Sequence, residues 1–113
     1  MESQLELWSE FMKLRDKFQQ AMPGLMAAQN GVRDEVYKDG ALSCKVKRLI
    51  ALSIALRAAC VPCILSQTKL AVEAGATKDE VLETCSVALA VSGTTGLAES
   101  ERVIKLLEEL GKL

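Results

Sequence analysis

The sequence predicts an all-helical fold of about six helices, on three observations. Half of the 113 residues are apolar, but only four are aromatic, so the core has to be built from small aliphatic side chains. Apolar residues recur at steps of three and four along most of the chain, as on one face of a helix. No segment alternates with the period of two that a half-buried strand requires. At this length we expect residues 1–113 to form a single domain.

The first two helices are predicted on either side of a break at Pro23 and Gly24. Residues 2–22 place apolar side chains at helical spacing with charged residues between them, which is typical of an amphipathic helix. Proline disfavours a helical predecessor and glycine relaxes the backbone, so the pattern should end there. A second, weaker helix is predicted over residues 25–38, with Gly40 in a helix-stop position just beyond it.

The third predicted helix runs from Ser43, which is suited to cap it, to Ala59. It is apolar on most of its circumference, which predicts a central position in the bundle. Pro62 interrupts it and is tolerated only near the first turn of a new helix. We therefore expect Cys60 to close one helix and Cys63 to open the next, so that the two cysteines lie at a helix–helix joint.

Three further stretches complete the predicted bundle. The fourth helix should end before Gly75, a common C-terminal residue. Residues 77–80 form a Thr-x-x-Glu capping box, which predicts a fifth helix over residues 78–92. Residues 93–96 begin and end with glycine and are interpreted as a turn, after which the last helix is expected over residues 97–110.

The fifth predicted helix also bears on assembly. Between residues 81 and 91 its apolar side chains point in almost every direction, more than a chain of this size can cover, so we expect a homo-oligomer. Trp8, Phe11 and Phe18, at helical spacing, are interpreted as core or subunit-contact residues rather than as a ligand site.

Charge and hydropathy exclude several classes of partner. Fourteen basic and fifteen acidic residues give a net charge of -1, spread along the chain, so neither nucleic acid nor an anionic membrane surface is expected to bind. No apolar run approaches the roughly 18 residues that cross a bilayer, and the chain begins with acids instead of a basic secretory leader. We expect a cytoplasmic protein.

The best candidate for chemistry is the Cys-x-x-Cys sequence formed by Cys60 and Cys63. Unpaired amides and the positive end of the helix dipole at a helix start stabilise a thiolate. This favours Cys63 as the attacking thiol, with Cys60 placed to resolve it. Arg57 and Lys69, within one to two helical turns, add positive charge that lowers a thiol pKa.

The cysteine pair by itself leaves three interpretations open: a redox site, buried or vestigial thiols, and a zinc site. Zinc is the weakest, because a closed site needs four ligands and the remaining cysteines, Cys44 and Cys85, have no paired spacing. The chain contains no histidine, which excludes imidazole ligands and imidazole proton carriers. No metal and no cofactor is predicted. Cys85 is interpreted as a small core residue.

The context of the pair resembles a known family. Gly-Ala-Leu-Ser at 40–43, the helix at 45–52, the Cys-x-x-Cys and the Glu-Ala-Gly-Ala-Thr-x-x-Glu segment at 73–80 are similar, in order and spacing over about 40–95, to the carboxymuconolactone decarboxylase and alkylhydroperoxidase-D-like family. The resemblance implies an orthogonal helical bundle that assembles into trimers or hexamers. It also implies a thiol-dependent antioxidant protein that reduces alkyl hydroperoxides or disulfides: the second cysteine attacks, the first resolves, and a separate dithiol supplies electrons.

Two positions depart from the peroxidase branch of that family. There a glutamate twelve residues before the first cysteine and a histidine four after the second relay a proton, and here these positions are Arg48 and Gln67. Neither side chain takes up a proton near neutral pH. Arg48 is a candidate for stabilising the Cys63 thiolate by its charge, and Gln67 for lining the site; the alternative is that both are solvated surface residues.

Three functions follow from the sequence, in descending order. The first is the thiol peroxidase or disulfide reductase described above. The second is a non-catalytic oligomeric binding or scaffold protein that has kept the fold and lost the relay. The third, lactone decarboxylation, follows only from the family's name, because no acid or base for it is evident.

Overall fold

The structure, a computed structural model, describes residues 1–113 and contains six α-helices and no β-strand. The prediction of an all-helical chain is confirmed. The helices are α1 (Gln4–Ala21), α2 (Pro23–Val36), α3 (Cys44–Ala58), α4 (Val61–Glu73), α5 (Lys78–Ser92) and α6 (Thr94–Glu109). None of them is long and apolar enough to cross a bilayer.

Helix α2 begins two residues earlier than predicted, because Pro23 starts the helix instead of interrupting the chain. Pro23 is the first helical residue of α2. Its missing N–H would have no partner there in any case, and its fixed φ already suits a helix. Only Met22 therefore separates α1 from α2, and the two helices form a tight hairpin.

Helix α6 also begins earlier than predicted, so that Gly96 lies inside the helix and not in a turn. Gly93 alone makes the reversal after α5, with φ +61° and ψ -135°, a conformation that favours glycine. A Cβ on Gly96 would lie 2.5 Å from the carbonyl oxygen of Ala88. Gly96 therefore allows the backbones of α5 and α6 to approach closely.

The core lies where α3, α4, α5 and α6 pack together. Helix α3 contacts the other three, as its apolar sequence predicts. Its central position holds for one face only, however, because Ile50 and Ile54 remain exposed on the other. The buried cluster is Leu52, Ala55, Leu56, Ile64, Ala71, Ala76, Val81, Cys85, Ala88, Val103 and Leu107.

Helix α1 joins this core at its N-terminal end, through a buried polar residue. Gln4 is 0 % exposed; its backbone N–H donates to Glu109 Oε1 at 2.7 Å, and Arg102 donates to its side-chain oxygen at 3.1 Å. These bonds tie the start of α1 to α6 and satisfy groups that would be costly to bury unpaired. Helix α2, by contrast, packs only on α1 and buries only Met26.

Candidate functional site

The cysteine pair lies at a sharp joint between α3 and α4. Ala59 ends α3 in a left-handed conformation with φ +54°, which is uncommon for a residue with a Cβ. The N–H of Cys60 then donates to Ala55 O at 3.1 Å and satisfies one of the last carbonyl groups of α3, of which Ala59 is the C-cap. The prediction that Cys60 closes α3 is wrong in detail: Cys60 is the extended N-cap residue of α4, and Pro62 is accepted in its first turn.

Cys60 and Cys63 are joined by a disulfide, with their Cα atoms 5.2 Å apart. Cys63 lies in the first turn of α4, and no side chain caps that turn. Its free amides and the positive end of the helix dipole therefore remain available to stabilise a thiolate when the pair is reduced. Cys63 is exposed, whereas Cys60 is half-buried. Cys63 is thus the more accessible residue of the pair.

Cys63 opens into a cavity of about 620 Å³ between the α1–α2 hairpin and helices α3 and α4. This volume is in the range of small-molecule sites. The cavity exists because α2 packs on α1 without contacting α3 or α4 along its length. Its lining consists of Phe11, Met12, Leu14, Arg15, Phe18, Asn30, Arg33, Asp34, Arg48, Pro62, Cys63, Ser66, Gln67 and Leu70.

Arg48 and Gln67, the two positions that depart from the family pattern, meet in this cavity. Arg48 Nη1 donates to Gln67 Oε1 at 3.3 Å, and the guanidinium carbon stacks 3.4 Å from the centroid of the Tyr37 ring. Gln67 Nε2 donates to the Tyr37 hydroxyl at 3.4 Å. Both residues are half-buried and hydrogen-bonded instead of being fully exposed on the surface. Tyr37, which no motif or spacing in the sequence marks, completes the group.

The positive charge around the cavity comes from residues distant in sequence. Arg57 and Lys69, chosen for their closeness to the cysteines along the chain, do not line it. Lys69 instead lies 4.6 Å from the Trp8 ring, and Arg57 is exposed. Arg15 of α1 and Arg33 of α2 line the cavity beside Arg48, and only the tertiary contacts bring them there.

Of the three aromatic residues of α1, one packs against a neighbouring helix and two line the cavity. Trp8 packs as expected, with its indole N–H donating to Ser66 Oγ at 3.2 Å. Phe11 and Phe18 line the cavity beside Cys63, so their interpretation as core or subunit contacts missed this role. Helical spacing identifies the face they share but not the side chains opposite it.

The two remaining cysteines lie outside the site. Cys85 is buried in the core, and burial raises the pKa of its thiol, with a smaller opposing effect from a hydrogen bond with Ser100. A raised pKa leaves less thiolate and therefore less reactivity. Cys44 is half-buried at the first position of α3 and does not line the cavity.

Sequence comparison identifies the family to which these features point. Residues 23–106 match the model of the carboxymuconolactone decarboxylase family, a stretch that contains residues 40–95 and extends beyond them. The chain is 30 % identical over 91 residues to an uncharacterized protein of Cupriavidus necator, with 80 % of each chain covered. It is 32 % identical over 75 residues to an uncharacterized protein of the cox locus of Paracoccus denitrificans, with 66 % of this chain and 68 % of that one covered.

Solved structures of the same family share the fold. A carboxymuconolactone decarboxylase family protein from Legionella pneumophila superposes with a TM-score of 0.91 at 29 % identity, over 99 % of this chain and all of the other. A second, from Thermotoga maritima, gives a TM-score of 0.79 at 26 % identity over 90 % of both chains. Involvement in an antioxidative response has been suggested for the Thermotoga protein.

Proposed function

The chain belongs to the carboxymuconolactone decarboxylase family, and from this membership and its cysteine pair we propose that it is a thiol-dependent peroxidase. In this proposal Cys63 reduces an alkyl hydroperoxide and Cys60 resolves the product. A separate dithiol restores the pair. The same chemistry would let the pair reduce small disulfides by thiol–disulfide exchange.

The observation that carries the proposal is the placement of Cys63. Its side chain is exposed, lies in an uncapped helical first turn and opens into a cavity large enough for an organic molecule. Cys60 lies within bonding distance and is itself less exposed. An accessible attacking thiol beside a more protected resolving thiol is the arrangement that a two-cysteine peroxidase needs.

The proposed reaction has three steps. The Cys63 thiolate attacks the outer oxygen of the hydroperoxide, the O–O bond breaks, and the alkoxide leaves as the alcohol after taking a proton from water; Cys63 becomes a sulfenic acid. The Cys60 thiol then condenses with it, forming the disulfide and releasing water. A dithiol finally attacks the disulfide by two exchanges, returning both thiols and leaving as its own disulfide.

No side chain at the relay positions accepts the Cys63 proton. Arg48 remains charged, and the Gln67 carboxamide has no basic group in this range. The charge of Arg48 and the dipole of α4 favour the thiolate but do not remove its proton. We therefore expect measurable but slow turnover, with a rate that rises with pH as the Cys63 thiol ionises in water.

A single-turnover assay tests the assignment of the cysteines. Reduced protein is mixed with cumene hydroperoxide, and peroxide consumption and dimedone-trapped sulfenic acid are measured for wild type, Cys63→Ser, Cys60→Ser and Cys44→Ser. We expect Cys63→Ser to consume no peroxide, because it lacks the attacking sulfur. Cys60→Ser should consume one equivalent and accumulate the trapped sulfenic acid, and Cys44→Ser, the matched control outside the site, should behave like wild type.

One observation favours a second function. The relay positions hold a hydrogen-bonded Arg48–Gln67 pair. This pair can bind an anion through the guanidinium group but cannot accept the proton of Cys63, which suits a binding or scaffold protein that has lost catalysis. If wild type consumes no peroxide in a thiol-dependent manner, the peroxidase proposal fails and this alternative replaces it. Lactone decarboxylation is not proposed, because the cavity offers no acid–base pair suited to it.

A further inference from the structure

The cavity beside Cys63 is lined by three arginines that have no acidic partner. Arg15, Arg33 and Arg48 reach it from α1, α2 and α3 respectively. The salt bridges of the chain involve other residues, so no carboxylate lies within 4 Å of these guanidinium groups. Three guanidinium groups around one cavity, with no carboxylate in contact with any of them, make an arrangement suited to a bound anion.

Neutral groups satisfy only a small part of the hydrogen-bonding capacity of these arginines. Arg15 Nη2 donates to Asn30 Oδ1 at 3.2 Å and Arg48 Nη1 donates to Gln67 Oε1 at 3.3 Å, whereas Arg33 makes no side-chain hydrogen bond. A guanidinium group carries five N–H donors. Most of the donors around the cavity are therefore free to bind the oxygens of a carboxylate.

The charge of Arg33 is destabilised where it lies. The pKa of Arg33 is lowered, first by burial and then by the positive charge of Arg15; an opposing effect of Tyr37 is larger than the small further lowering by Arg48. Asp34 is the only acid in the lining, so its charged residues carry a net charge of +2, three positive and one negative. A bound anion would relieve this repulsion.

The rest of the lining is suited to a hydrocarbon. Five apolar side chains share the cavity with the arginines: Phe11, Met12, Leu14, Phe18 and Leu70. Two of them, Leu14 and Phe18, are each 52 % exposed, so a ligand that covered them would remove apolar surface from water. The cavity thus combines an anion-binding part and an apolar part with the Cys63 sulfur.

We propose that the substrate of this site is an amphiphilic carboxylate hydroperoxide, with its carboxylate bound by the three arginines and its hydrocarbon part against the apolar lining. The inference rests on the proposed peroxidase function, because it names the substrate class for that reaction. The chemical steps are unchanged: the O–O bond of the substrate breaks at Cys63, and the carboxylate takes no part in the electron transfer.

A matched pair of substrates tests the role of the carboxylate. The hydroperoxide of linoleic acid and the hydroperoxide of its methyl ester have the same hydrocarbon and the same peroxide, and only the acid carries a charge. We expect kcat/KM for the acid to exceed that for the ester by about tenfold or more, as a charge-assisted hydrogen bond in a cavity allows. Equal values for the two substrates would overturn the inference.

Variants that remove or keep a positive charge test whether the cavity arginines cause the preference for the acid substrate. Arg33→Gln should bring the acid-to-ester ratio of kcat/KM close to one, Arg33→Lys should retain part of it, and Lys13→Gln should leave it as in wild type. Lys13 is an exposed cation of α1 that does not line the cavity. If Arg33→Gln leaves the ratio unchanged and instead weakens self-association on sedimentation, the arginines contact another subunit and the inference is wrong.

A binding measurement separates this inference from the peroxidase proposal. Calorimetry with decanoate below its micelle concentration needs no turnover, and we expect saturable binding to wild type that Arg33→Gln weakens about tenfold or more and that high salt weakens. Binding without any peroxide consumption would remove the peroxidase function and keep the carboxylate site. Turnover of both hydroperoxides without decanoate binding, or inorganic phosphate binding as tightly as decanoate, would overturn the amphiphile assignment.

Discussion

Residue identity at Arg48 and Gln67 determines what the site can do with a proton. Both side chains line the cavity that contains Cys63 and bond to one another, with Arg48 also stacked on Tyr37. A guanidinium–carboxamide pair supplies a fixed positive charge and hydrogen bonds, whereas a carboxylate–imidazole pair can accept a proton and pass it on. The sequence identified these two positions, and the structure brings them into contact.

The double change Arg48→Glu with Gln67→His should therefore accelerate peroxide reduction. General-base assistance is typically worth roughly a hundredfold or more, and it should appear as faster consumption of cumene hydroperoxide at neutral pH and a shallower rise with pH. Cumene hydroperoxide is neutral, so the loss of one cavity arginine does not affect its binding through charge. The matched control, Arg48→Gln with Gln67→His, has the imidazole without the carboxylate and should gain less. A folded double variant with no gain would show that the relay cannot be rebuilt at these positions.

Helix ends decide the shape of this bundle more than helix interiors do. Single residues make two reversals: Gly93 between α5 and α6, and Met22 between α1 and α2. The left-handed Ala59 turns α3 into the cysteine pair. Gly96 is a further position where a single residue matters, because α6 passes so close to the Ala88 carbonyl that there is no room for a side chain. The stability of the α5–α6 pair should therefore depend on that glycine.

We expect Gly96→Ala to lower the free energy of unfolding by about 1–3 kcal/mol, because the new methyl group would collide with the Ala88 backbone. Gly31→Ala is the matched control: Gly31 lies within α2, and a Cβ there meets nothing within 4 Å. That change should be neutral or should stabilise by up to about 1 kcal/mol, through helix propensity. Urea denaturation measures both. Equal effects of the two changes would contradict the close approach.

Over the whole molecule, many large apolar side chains remain exposed to solvent outside the core. Ile54 on α3 is 63 % exposed and Val91 on α5 is 73 % exposed, and further apolar residues of α1 and α2 are also uncovered. The surplus lies on several helices and not on α5 alone. Where such residues adjoin one another on the surface, they are typical of a face that meets another subunit. The predicted homotrimer or homohexamer stays a prediction.

Sedimentation velocity at micromolar concentration should therefore give a mass of three or six subunits of 12.2 kDa. Ile54→Glu should shift the protein to smaller species, because it places a charge on an apolar face that the assembly would bury. Leu113→Glu, at an exposed apolar residue beyond the last helix, should have no such effect. A wild-type monomer would remove the assembly argument altogether.

The sequence by itself determined the local features of this protein: the helical class, the capping box at Thr77 and Glu80, and the cysteine pair at a helix joint. These depend on periodicity, caps and proline, which act over a few residues. Only the tertiary structure decided which side chains surround Cys63. Arg15, Arg33 and Phe11 are distant from it in sequence and line one cavity with it because α1 packs on α4 and α2 packs on α1. Spacing along a helix identifies a face, but the partner of that face depends on how all six helices pack together.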